Sequence, residues 1–213
     1  IYTQRDYVGG IAGENRGLIQ NCTVTTANIV SEDHDFVGGI VGKNCPGGTV
    51  LGCRVSGTIK GKGSAKYVGG ITGDNAYGSE YATISNCWVE ADVSSEHNNA
   101  LTSAYVGGIA GRNSCIIKFC CMTGNVSNPE DDYVGGMIGY TSGTGQGTNN
   151  TPASSRRRSP STGHGTGYRY VVNEHLTFYG TITNNHSRSS DVFGEGSGDY
   201  IYTSFDQGEY DAA

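Results

Sequence analysis

No apolar run in this 213-residue chain approaches the ~20 residues that a membrane-spanning helix needs. No basic leader with an apolar stretch precedes the first residues, and the chain starts at Ile1, so it reads as a mature or excised piece. Nowhere do apolar residues persist at i, i+3, i+4 and i+7, which excludes helix as a major element. Charge is scarce at 16%, and the net balance of −6 argues against a nucleic-acid surface. Hydrophobic residues make up 35%, too few for a thick core but enough for a narrow one. Catalytic signatures are missing too: there is no HExxH run, GxSxG elbow, CxxC pair or EF-hand loop. The histidines His34, His97, His164, His175 and His186 stand in unrelated contexts and give no ligand spacing. The reading is therefore of a chain without catalytic residues, bound metal or cofactor.

Glycine, in contrast, is abundant at 35 residues, and much of it is periodic. YVGGIAGEN begins at Tyr7, FVGGIVGKN at Phe36, YVGGITGDN at Tyr67, YVGGIAGRN at Tyr105 and YVGGMIGYT at Tyr133. The valines Val8, Val37, Val68, Val106 and Val134 are spaced by 29, 31, 38 and 28 residues. Self-similarity at such a period is the signature of a solenoid, propeller or array. A second segment follows each copy: GLIQNCTV, TVLGCRVSGTI, TISNCWVEADV and IIKFCCMTGNV. In it Ile19, Val50, Ile84 and Ile117 correspond, as do Cys22, Cys53, Cys87 and Cys120. VGGIAG superficially matches a dinucleotide fingerprint, but five copies with no following helix exclude that turn.

Over roughly residues 2–141 this pattern resembles the GLUG repeat family of large bacterial surface proteins, which includes adhesin-like chains and IgA-specific metallopeptidases. The resemblance implies a β-solenoid on a secreted or surface-anchored protein. It does not imply peptidase activity, because in those enzymes the repeats lie outside the catalytic domain.

The residues themselves point the same way. In CRVSGTI, Cys53, Val55, Gly57 and Ile59 share one face; in CWVEADV, Cys87, Val89, Ala91 and Val93 do, with Glu90 and Asp92 opposite. Strict alternation with β-branched residues is a strand pattern. The expected fold is all-β: a parallel β-helix-like solenoid of about five regular rungs plus a degenerate C-terminal rung. Residues 1–141 carry the regular repeats. Residues 142–167, Gly/Ser/Thr-rich with Arg156, Arg157 and Arg158, read as a protruding loop. Residues 168–213 read as a degenerate last rung, where TFYGTIT and DVFGEGSG echo the motif, and a C-terminal cap or assembly strand.

Stacked rungs place like residues in columns. Glycines permit close backbone approach or sharp bends. Asn15, Asn44, Asn75 and Asn113 are expected as a turn ladder, since Asn tolerates left-handed backbone and its amide bonds the next rung's amide; Thr141 takes the place in the fifth unit. Tyr7, Phe36, Tyr67, Tyr105 and Tyr133 form an aromatic column, read as a stacking ridge. The alternative is a carbohydrate contact through Tyr7, Tyr67, Tyr105 and Tyr133. Seven cysteines are an odd number. Cys22, Cys53, Cys87 and Cys120 are read as a stacked thiol ladder in preference to disulfides. The pairs Cys22–Cys53 and Cys87–Cys120 stay open, because rungs about 4.8 Å apart lie within disulfide reach. Cys45, Cys115 and Cys121 fall out of register and are free to pair separately.

Two acidic clusters, Glu32/Asp33/Asp35 and Glu130/Asp131/Asp132, precede aromatic column residues, with Asp6 in the matching place of the first unit. They suit a solvated edge better than Ca²⁺, because Lys66 and Ala104 interrupt the column. Asn21, Asn125, Asn149 and Asn185 match the N-glycosylation acceptor pattern.

The expected function is a non-enzymatic extracellular or cell-surface structural or adhesive module. Its partners would be other copies or neighbouring repeats stacked end to end, a head-to-tail fibre included, and a surface glycan or host receptor. Nucleic acid and a membrane span are not expected. The alternatives are a carbohydrate-binding or polysaccharide-processing β-helix, or the stalk of a large surface peptidase.

Overall fold

The computed structural model describes residues 1–3, 6–76, 78, 80–97, 104–128, 133–142, 172–178, 181–184 and 193–197. Among them there is no helix; the chain is a β-solenoid in which every strand pairing is parallel. One rung has four sides. In the first rung these are Tyr7–Gly9, Ala12–Asn15, Leu18–Gln20 and Thr23–Glu32. The second repeats them as Phe36–Gly38, Val41–Asn44, Thr49–Leu51 and Arg54–Gly63. The first sides stack into a five-stranded sheet and the second sides into a six-stranded one. The third and fourth sides share an eleven-stranded sheet, because Ile116–Met122 runs through both and pairs with Thr83–Ser85 and Trp88–His97.

Register follows the motif. Val8, Val37, Val68, Val106 and Val134 stand directly over one another. So do Ile19, Val50, Ile84 and Ile117. The core is a file of such residues: Val37, Val68, Val106 and Val134, with Ile40, Ile71, Ile109 and Met137, are fully buried. On the long fourth side Val89, Ala91 and Val93 are buried while Glu90 and Asp92 are exposed, so one face fills the coil and the other meets water. β-Branched side chains suit this half-buried pleated wall.

The motif glycines are required by space. A Cβ on Gly73 would lie 2.6 Å from the Val37 nitrogen and 2.8 Å from the Phe36 carbonyl carbon. One on Gly39 would lie 2.2 Å from the Gly70 carbonyl oxygen of the next rung. Neither glycine adopts positive φ, so close approach of one backbone to another is what excludes a side chain.

Left-handed residues mark other corners. Asn21 (φ 52°), Gly52 (62°), Asn86 (53°) and Phe119 (53°) form one corner column between the third and fourth sides. Asp33 and Gly63, both at φ 65°, form another. A bulge between Val24 and Ala27 places Thr26 at φ 50° beside Gly57 at 117°.

Beyond the fifth first-side strand, the repeat continues irregularly. Leu176 stands over Cys120, and Thr181–Asn184 pairs with Asn125–Asn128. Phe193 stands over Ile138 and Gly196 over Thr141, so the DVFGEGSG echo falls on the second half of the motif. The arginine triplet and the aromatic segment after Gly198 lie outside the described residues. No described helix is long and apolar enough to cross a membrane.

Candidate functional site

The columns are the candidate site, since they hold most of the residues that the repeat singles out. Asn15 donates from Nδ2 to Asn44 Oδ1 (2.9 Å), Asn44 to Asn75 Oδ1 (2.9 Å) and Asn75 to Asn113 Oδ1 (2.8 Å). Their amides also hold carbonyls of the third side, including Thr49, Thr83 and Ile116. All four are buried. None has positive φ: each ends a second-side strand and points inward. The left-handed asparagines are Asn21 and Asn86 instead. Position and orientation thus separate two asparagine columns that share a residue type and differ in role.

The rings of Tyr7 and Phe36, Phe36 and Tyr67, and Tyr67 and Tyr105 stack at 5.2–5.4 Å with interplanar angles of 10–16°. At the fifth rung Tyr105 meets the Tyr140 ring at 4.8 Å, tilted by 45°. Tyr133 pairs with Tyr105 through the backbone. Phe36 and Tyr67 each have a neighbouring ring on both sides along the column.

Beside the aromatic column lies one that the sequence reading missed. Glu14, Lys43, Asp74 and Arg112 are register partners and alternate in sign. Its signal was legible, since each residue immediately precedes a ladder asparagine. Asp74 is wholly buried and accepts two bonds from Arg112, 2.8 Å from Nε and 2.6 Å from Nη2. The Arg112 guanidinium lies 4.7 Å from the centre of the Tyr67 ring, and Lys43 Nζ lies 5.5 and 5.7 Å from those of Tyr7 and Phe36. Cations over stacked rings add electrostatic attraction to the column.

All seven cysteines are free thiols, so neither Cys22–Cys53, Cys87–Cys120 nor the out-of-register set is bridged. Hydrogen bonding to Cys87 and then burial raise the Cys53 thiol well above its ordinary value. Hydrogen bonding to Cys120, with burial, does the same for Cys87. Burial pushes Cys115 and Cys121 up to about 11. Such thiols stay protonated at neutral pH and are weak nucleophiles. They pack as small hydrophobes.

The remaining candidates are scattered. Asp33 Oδ1 accepts from the Ser64 backbone N–H (3.1 Å), and Asp6 pairs with His34 (2.8 Å). Among the described residues no three His, Cys, Asp or Glu side chains converge on a point that could hold a metal ion. Asn21 is exposed at its left-handed corner. Asn125 is exposed on a strand, and its Nδ2 is engaged by Asp92 Oδ1 (2.9 Å). Asn149, Asn185 and the Glu130–Asp132 cluster lie outside the described residues.

No protein-family model matches the chain, so the GLUG resemblance rests on the motif alone. No curated protein matches it either. Among solved structures, the chain is similar to a Bacteroides ovatus protein named as a candidate immunoglobulin A1 protease, at 20% identity and a TM-score of 0.47. The likeness covers 86% of this chain and 56% of that one, so this chain spans little more than half of that protein's length. At that level it bears on neither chemistry nor partners.

Proposed function

We propose that the chain is a non-enzymatic, extracellular structural or adhesive module: a rigid solenoid that spaces or presents whatever its loops or neighbours bind. One observation carries this reading. The recurring side chains serve rung-to-rung contact, with asparagine amides bonded to one another, rings stacked on rings, and glycines placed where backbones touch. An enzyme built on a solenoid needs convergent acid and base groups on an exposed face. Here the one buried carboxylate of the charge column, Asp74, is neutralised by a bidentate arginine.

The test is direct. Purified protein is incubated with a panel of polysaccharides and with unfolded and folded polypeptides, and products are followed by mass spectrometry. In parallel, its shape is recorded by negative-stain microscopy, and cells expressing the full gene are fractionated. The reading expects rod-shaped particles, surface localisation and no turnover. Hydrolysis abolished by a single side-chain substitution would overturn it.

A further inference from the structure

Four of the free thiols stand in one file inside the solenoid. Thr23 pairs with Arg54, Arg54 with Trp88 and Trp88 with Cys121, so the residues just before them, Cys22, Cys53, Cys87 and Cys120, share one column of consecutive rungs. Backbone bonds of 2.9 Å fix that register: Arg54 donates to the Cys22 carbonyl, Trp88 to that of Cys53 and Cys121 to that of Cys87. Each cysteine directly follows the left-handed corner of Asn21, Gly52, Asn86 and Phe119, so all four enter the fourth side in the same way. Leu176 stands over Cys120 and adds no sulfur.

The sulfurs repeat as closely as the backbone does. Sγ lies 3.4 Å from the Gln20 carbonyl oxygen in Cys22, 3.5 Å from that of Leu51 in Cys53, 3.3 Å from that of Ser85 in Cys87 and 3.3 Å from that of Lys118 in Cys120. Cys53 and Cys87 repeat a second contact, 3.9 Å to the carbonyls of Ile19 and Val50 in the neighbouring rung. One orientation repeated on every rung sets neighbouring sulfurs apart by the rung spacing, about 4.8 Å. A disulfide would have to draw two sulfurs together to about 2.05 Å. An ion between them needs almost no movement, because two metal–thiolate bonds of about 2.3 Å laid end to end span roughly 4.6 Å. The column also selects among metals. Zinc asks for four ligands, and among the described residues no three His, Cys, Asp or Glu side chains converge on a point. Thiolates favour soft ions such as monovalent copper, which two sulfurs in line satisfy.

We infer that the cysteine column is a soft-metal site in which monovalent copper bridges the sulfurs of consecutive rungs. Used once each, the sulfurs pair as Cys22 with Cys53 and Cys87 with Cys120. Each ion forms two sulfur–copper bonds and sends one thiol proton to solvent; no electron is transferred. One-for-one exchange of a proton for a monovalent ion leaves the charge of the column unchanged. That matters where Cys53, Cys87 and Cys120 are buried in an apolar core, since net charge there is costly. Bridged rungs cannot part until the ion leaves, so the metal clamps the solenoid along its axis and stabilises the folded chain.

The whole protein, fully reduced and kept free of oxygen, is titrated with Cu(I) in competition with bicinchoninate, a chromophoric chelator of that ion. Two ions per chain should be held against the chelator, and X-ray absorption should show two sulfur neighbours for each copper. Bound copper should raise the melting temperature. Cys53→Ala and Cys87→Ala should each lose one of the two ions, because each breaks one pair and leaves the other. The triple variant Cys45→Ala, Cys115→Ala, Cys121→Ala keeps the column and should still hold two. Circular dichroism checks that each variant keeps its β structure, and the coordination measurement needs no variant at all. Failure to retain copper against the chelator, three or more sulfur neighbours, a copper count unaltered in both single variants, or loss of copper from the triple variant would each overturn the proposal.

Discussion

Replacing Asn75 by alanine probes the ladder at its middle. The side chain accepts from Asn44 Nδ2 (2.9 Å) and donates to Asn113 Oδ1 (2.8 Å) and to the Ile116 carbonyl (3.2 Å). At about 1 kcal/mol net for each bond, the loss is about 3 kcal/mol. The neighbours limit any larger penalty, because Asn44 Nδ2 keeps the Gly48 and Thr83 carbonyls and Asn113 Oδ1 keeps the Cys115 N–H. Urea unfolding followed by circular dichroism measures the loss. A double-mutant cycle with Asn44→Ala isolates the shared amide bond, and the coupling should be about 1 kcal/mol, the double mutant losing less than the sum. A central defect in a repeat array can also split the transition, so m-values are compared as well as midpoints. If Asn75→Ala costs under about 1 kcal/mol with an unchanged m-value, or the two substitutions are strictly additive, the amide column does not hold the rungs together.

Three further outcomes follow from the geometry. Gly73→Ala meets backbone at 2.6 Å, which cannot rotate away, and should cost about 3 kcal/mol or more, while Gly17→Ala meets nothing within 4 Å and should stay within about 0.5 kcal/mol; thermal melts that rank the two equally would refute the close-approach account. Phe119→Gly should raise the melting temperature, since a bulky residue at φ 53° gives up about 1–2 kcal/mol in that conformation; a fall would mean that the half-exposed ring holds more than the corner costs. Under reducing conditions stability should fall from about pH 9 toward pH 11. The folded chain keeps Cys115 and Cys121 protonated to about 11 while the unfolded chain releases those protons near 9.0, so rising pH favours unfolding; replacing both by alanine should reduce that slope and leave the part due to Cys53 and Cys87, and an unaltered slope would refute the assignment.

The architecture was legible because its signal was repeated five times. One VGGI means little, but five at near-constant spacing fix which residues share a column, and burial then follows from alternation. What could not be read was the division of labour within one residue type. Asn15 and Asn21 lie six residues apart, yet one faces inward with an amide bonded across rungs and the other turns a left-handed corner in water. Composition treats them alike; only the corner between the third and fourth sides tells them apart. The charge column was overlooked for a different reason. Comparing repeats for sameness hides a position that alternates in sign, although the alternation is itself a regularity. The thiol state was open in the sequence because rung spacing permits a bridge without requiring one.

A repeat that works by self-contact constrains where anything else can happen. A side chain whose partners are its own copies above and below cannot also turn toward a ligand without breaking the column, so residues that depart from the repeat are freer to acquire other roles. Phe119 departs from a corner otherwise built of asparagine and glycine, and Thr26 departs at a bulge that the next rung lacks. Strain at these two positions shows only that the backbone is held against its preference.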